Sequence, residues 1–175
     1  KRSPRYTRAR GCHTGRERMA AVPAGVFCFG EVRALTKSNR KPLPDKDHAQ
    51  KLLKDAAEQV LPLLEKYKWR VGLLVEFLPR GPGLLGLNVN RGAQIKVRLR
   101  RTAAPGDFYP FNHVLGTLLH ELTHMKYGKH SAEFYKFLDG LWEETEALMS
   151  KGIRGAGKHK EAFAGAGKSL GGTRH

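Results

Sequence analysis

A chain of 175 residues, 40% of them hydrophobic, is long enough for one domain with a real core and too apolar to be disordered throughout. Its 32 Lys and Arg against 16 Asp and Glu leave a net charge of +16, which favours polyanionic partners. Two cysteines cannot build a disulfide framework, and no apolar run reaches the ~20 residues of a membrane helix, so secreted disulfide-stapled proteins and helical membrane proteins are set aside.

Residues 1–18 carry seven Lys or Arg against the single acid Glu17 and show no apolar periodicity. Residues 1–25 therefore read as a basic, disordered arm. No apolar h-region follows the basic start, which argues against a secretory signal. Met19 opens a different segment, MAAVPAGVF, and translation starting there is one reading of that change. The folded domain is expected over 26–152, beginning with a strand in VFCFGEVRAL, where Cys28 should be buried and inert. Asp45 or Asp47 can cap a helix whose stripe is Leu52, Leu53, Ala56, Ala57, Val60, Leu61 and Leu64, and Pro62 should kink or shorten it.

RVGLLVEFLP reads as a buried strand bounded by Pro79, RGPGLLG as a turn, and LNVN and QIKVRLR as further strands. In the last, Ile95, Val97 and Leu99 point one way, while Gln94, Lys96, Arg98 and Arg100 point the other. Two readings stand for that basic face: phosphate contact by Lys96, Arg98, Arg100 and Arg101, or a solvated sheet surface. A helix over 110–127 follows, with Phe111, Val114, Leu115, Leu118, Leu119, Leu122 and Met125 on one stripe and Gly128 as its C′ residue. Ser131 caps a second helix, whose stripe runs from Phe134 to Met149 and whose other face is acidic. Residues 153–175 form a Gly- and Lys-rich tail. Strands first and paired helices after imply an α+β domain.

The chemistry lies in HELTHMKYGKH, residues 120–130. His120 and His124 are one helical turn apart and opposite the apolar stripe, so both imidazoles look away from the core. Glu121 sits beside them, within reach of a water on a shared metal. Gly128 lets the chain turn so that His130 swings back as a third ligand. Three neutral imidazoles and one open position describe a catalytic zinc site holding one Zn2+ per chain. His113 lies on the same face, ~10 Å along the axis, too far to share the metal. The oxyanion donor is open among Tyr109, Tyr127 and Tyr135.

The spacing of the third His is that of metzincins, but the metzincin Gly position and Met-turn are missing. LLVEFLPRGPGLLGLNVNRGAQIKVRLR, LGTLLHELTHMKYGKHSAEFYKFLDGLWEE and FAGAGKSLGG together resemble the WLM-domain metallopeptidases, DNA–protein-crosslink proteases of the nucleus related to the Spartan, or SprT-like, family. The resemblance runs from about Val26 to Gly172 and implies a small zincin-like fold. It implies His120, His124 and His130 as zinc ligands and Glu121 as catalytic base. It also implies stimulation by DNA, single-stranded DNA foremost, and substrates crosslinked to or bound on DNA, with the chain itself among them. Nuclear localisation goes with it.

Zincin clefts use an edge strand to pair substrate backbone, and 94–101 is the strand expected in that place. Phe163, Gly165, Gly167 and Leu170 resemble the short SHP box that docks on the unfoldase valosin-containing protein. Relatives also recruit SUMO or ubiquitin, although no convincing SUMO-interacting motif stands in this sequence. An ordered end of the domain is the other reading of the box. GAGKS at 165–169 is no P-loop, because Ala162 stands where its first Gly belongs. Cys12 reads as a thiol in the arm rather than a cysteine switch. The competing function is a non-catalytic DNA- or ubiquitin-system adaptor with a structural zinc.

Overall fold

A computed structural model describes residues 28–153. Its elements run β1 (Phe29–Arg33), β2 (Lys37–Ser38), β3 (Lys41–Pro42), α1 (Lys46–Tyr67), β4 (Val71–Glu76), β5 (Gly86–Val89), β6 (Gln94–Val97), α2 (Phe111–Thr123) and α3 (Ala132–Ser150). The strands β1, β4, β6 and β5 form one mixed sheet in that order, and β2 and β3 a small hairpin. β1 and β6 both run parallel to β4, while β5 closes antiparallel on β6 with Asn88 opposite Ile95. The parallel pair β1 and β4 needs a crossover, and α1 provides it. The architecture is the α+β arrangement expected from strands followed by paired helices.

The apolar stripes drive the packing. Leu53, Ala56, Val60 and Leu64 of α1, Leu74 of β4, Ile95 and Val97 of β6, and Val114, Leu115, Leu118, Leu119 and Leu122 of α2 are all fully buried in one cluster. Pro62 does not end α1, which runs unbroken to Tyr67. Burial of Val60, Leu63 and Leu64 on both sides of it holds the helix against the ~3 kcal/mol an internal proline costs. Asp45 does stand at the N-cap, but in the left-handed region and with no side-chain capping bond. Ser131 caps α3 as expected, its hydroxyl accepting from the Phe134 N–H. Among the described residues, no helix is long and apolar enough to cross a membrane.

Two expectations fail in the sheet. The strand that begins at Gln94 ends at Val97 and lies inside the sheet between β4 and β5, so the edge strands are β1 and β5, and β5 is the one on this side. The residues beyond it are not a wet basic face. Arg98 is 3% exposed and Arg100 is completely buried. Arg100 pairs with Glu76 at 2.6 Å and donates to the carbonyls of Pro44 and Pro105. Glu76 in turn accepts from the Leu35 N–H. Arg98 donates to the carbonyls of Gly81, Pro82 and Arg100 and to the Thr102 hydroxyl. Both guanidiniums satisfy loop carbonyls that the short sheet leaves unpaired.

Candidate metal centre

One side of α2 is locked into the core by Val114, Leu115, Leu118, Leu119 and Leu122, which leaves His120 and His124 half-buried on the opposite side. The helix ends at Thr123, four residues before Tyr127, and Gly128 does not take up a left-handed conformation. A tighter turn terminates it instead, with the N–H groups of Lys126 and Tyr127 both donating to the Thr123 carbonyl. That turn also brings the Tyr127 carbonyl 2.9 Å from His124 Nδ1. An Nδ1–H donated there leaves Nε2 as the lone-pair nitrogen, the usual outer support of a metal-binding His.

The turn swings His130 back over the helix. Its Nε2 lies 3.0 Å from His120 Nε2 and 3.1 Å from His124 Nε2. Tetrahedral zinc with Zn–N of about 2.0–2.1 Å separates its nitrogens by roughly 3.3 Å, so the donor set fits a metal with little adjustment. These three residues form the one group among the described residues able to hold a metal ion. Phe134, the first core residue of α3, packs its ring against all three imidazoles. Burial, and then the neighbouring His124 and His130, push the His120 pKa down to about 4, so this imidazole is neutral at physiological pH and free to hold a metal.

Glu121 points to the other flank of the same turn and is 5% exposed. Burial raises its pKa to about 7, opposed by a hydrogen bond from the Asn88 backbone N–H on β5. The positive charge of a metal on the three imidazoles acts in the lowering direction too.

The pattern of the WLM domain matches residues 28–175. The chain belongs to the WLM family. Within it, the chain is 39% identical over 129 residues to the DNA-dependent metalloprotease WSS1 of Saccharomyces cerevisiae, covering 74% of this chain and 46% of that one. It is 33% identical over 141 residues to the WSS1 homolog 2 of Schizosaccharomyces pombe, covering 77% and 48%. The chain thus spans a little under half the length of these curated relatives. The crystal structure of S. cerevisiae Wss1 superposes with a TM-score of 0.67 at 37% identity, over 71% of this chain and 93% of that one. The S. pombe Wss1 structure gives 0.61 at 32% identity, over 71% and 98%.

The remaining expected site residues of this WLM chain scatter. Lys96 is half-buried on the inner strand β6. Arg101 is exposed and paired with Asp107 at 2.8 Å. With Arg98 and Arg100 buried, the four do not share a phosphate-facing surface. Tyr109 stacks on His113 and lies under Arg101, and Tyr127 packs edge-on against Phe137. Of the three tyrosines, Tyr135 is the one in ring contact with a ligand, His130, at 6.2 Å. His113 is half-buried, outside the metal group, with no hydrogen-bond partner on its buried Nδ1. Cys28 is buried. Residues 1–25 with Cys12, and Phe163, Gly165, Gly167 and Leu170, fall outside the described residues.

Sequence reasoning missed Gly86 and Asn88 on β5, which lie directly on Glu121. A glycine inside a short strand was the available signal, since it marks close approach by another group.

Proposed function

We propose that this WLM chain is the catalytic domain of a zinc-dependent, DNA-stimulated endopeptidase that cleaves proteins crosslinked to or bound on DNA, itself among them. The observation that carries the reading is three convergent imidazole Nε2 atoms with a buried carboxylate on the same helical turn. Three nitrogen ligands leave a tetrahedral metal one open position, the mark of a catalytic rather than a structural site. Zinc held there supplies Lewis-acid polarisation of a peptide carbonyl and acidification of water.

The protein's own groups do the rest. Glu121 accepts the proton of the attacking water and delivers it to the leaving amine. In the metal-free fold burial lifts its pKa to about 7, and the charge of a held metal would draw it down from there, towards the ionised form a base needs. The outer edge of β5, the last strand of the sheet among the described residues, pairs substrate backbone, which makes little demand on side chains and suits substrates of many sequences.

The relatives named DNA-dependent metalloproteases and the charge of +16 support DNA as the activator. Single-stranded DNA as its first form and a nuclear site of action belong to the same proposal and rest on the family resemblance alone. The competing adaptor with a structural zinc has no use for Glu121. A buried carboxylate without a cationic partner is costly and persists where chemistry needs it. The test is to incubate the pure zinc-loaded protein with a histone, with and without single-stranded DNA. Cleavage of the histone and of the chain itself that requires DNA, and that a chelator stops, is the expected result. An intact histone under all conditions would favour the adaptor.

A further inference from the structure

The hairpin of β5 and β6 lies flush on the second half of α2, and three of its residues make that fit. A Cβ added at Gly86 would fall on Glu121 Oε1 and stand 2.8 Å from both Cδ and Cγ of that side chain. One added at Gly92 would stand 2.6 Å from Cε and Sδ of Met125, four residues further along the chain. Between them, the Asn88 side chain spans the joint. Its Nδ2 donates to the Glu121 carbonyl at 2.7 Å, and its Oδ1 accepts the Gly92 N–H at 2.8 Å.

Asn88 therefore grips Glu121 by its side chain on the main-chain carbonyl, while its backbone N–H pulls the carboxylate pKa down against burial. The carboxylate has no cation and no other side chain among its hydrogen-bond partners in the described residues. Its space is opened by the missing Cβ of Gly86, and its main chain is held by the Asn88 side chain.

We propose that Gly86 and Asn88 are positioning residues that fix the Glu121 carboxylate for its work at the metal centre, Gly86 by leaving its space and Asn88 by anchoring the main chain from which it projects. The proposal rests on the reading of Glu121 as the base. Neither residue belongs to the metal-holding group, and no hydrogen bond among the described residues joins Asn88 to an imidazole, so metal binding and base geometry separate. A displaced base slows the chemical step and leaves substrate pairing along β5 in place.

The experiment uses the zinc-loaded full chain with a DNA-stimulated peptide substrate and four proteins: parent, Gly86→Ala, Asn88→Ala and Asn88→Asp. Asn88→Asp keeps the acceptor for Gly92 and loses the donor to Glu121. Zinc content should equal that of the parent in all four. In each variant kcat should fall about 10²-fold with KM within about two-fold. If Asn88 only closes the hairpin turn, Asn88→Asp will match the parent and the proposal fails for it.

The second readout needs no turnover. The Asn88 amide proton resonance should move when Glu121→Gln removes the carboxylate charge, and move likewise in Gly86→Ala. An Asn88 amide indifferent to both changes overturns the proposal, as does parental kcat in Gly86→Ala. A parent that cleaves nothing overturns the base reading instead, and the amide resonance still decides the positioning.

Discussion

At Glu121, ionisation and burial pull against each other, and pH exposes the contest. In the metal-free fold the residue holds its proton up to about pH 7, against 4.5 as the ordinary value. A raised carboxylate pKa favours the fold below 4.5, and that advantage is lost as pH rises towards 7. Metal-free Glu121→Gln, which cannot ionise, should gain on the parent across this window by up to ~3 kcal/mol. His120 acts with the opposite sign. Its pKa, lowered to about 4, weakens the fold as pH falls from 6.5, equally in both proteins. Urea midpoints at pH 4.5 and pH 7.5 for the metal-free pair check this, and an unchanged difference between them would contradict it. For the metal itself, His124→Ala should lose most of its zinc by metal analysis, since the remaining pair of imidazoles is a weaker site. Stoichiometric zinc in a variant lacking His120, His124 and His130 would remove the centre from consideration.

At the scale of elements, the buried ion pair between Glu76 and Arg100 ties β4 to the segments around Leu35, Pro44 and Pro105. Removing one partner strands a buried charge, which costs ~3–5 kcal/mol. Arg100→Ala should therefore lose much of its thermal stability, whereas Lys96→Ala, on a half-buried side chain, should stay within ~1 kcal/mol of the parent. Thermal melts of the two variants decide it. Equal melting temperatures would mean that Arg100 is not the structural tie it forms here. Alternation in the sequence legitimately put Ile95, Val97 and Leu99 in the core, where they are. It could not reveal that Arg98 and Arg100 also turn inward, because their partners, Glu76 of β4, the Thr102 hydroxyl and several loop carbonyls, stand at positions that share no periodicity with β6. The long stripes of α1, α2 and α3 were legible for the opposite reason, since burial against many neighbours enforces one period. The end of α2 was not, because the bond between His124 Nδ1 and the Tyr127 carbonyl, rather than Gly128, shapes the turn.

For the whole molecule, the three histidines able to hold a metal could be read from eleven residues, because imidazoles one turn apart on a helix need no tertiary information. The hairpin that seats Glu121 could not, since it brings residues 86–92 onto residues 121–125 across the sheet. The net charge of +16 predicts how the molecule meets DNA. Stimulation of cleavage should weaken steeply with salt, through release of counterions, and depend little on base sequence. Residues 1–18 hold seven basic groups against one acid, so deleting them should flatten the salt slope and leave stimulation detectable. Cleavage rates against DNA concentration at two salt levels check this, and a deletion with an unaltered slope would place the contacts elsewhere. Whether Glu121 is the base of a metal-held peptidase comes down to a single comparison. Parent and Glu121→Gln are brought to equal zinc content and incubated with a histone and single-stranded DNA. The parent should cleave and the variant should be slower by about 10²–10⁴-fold, with its zinc and DNA binding unchanged. Cleavage by Glu121→Gln at the parental rate would contradict it.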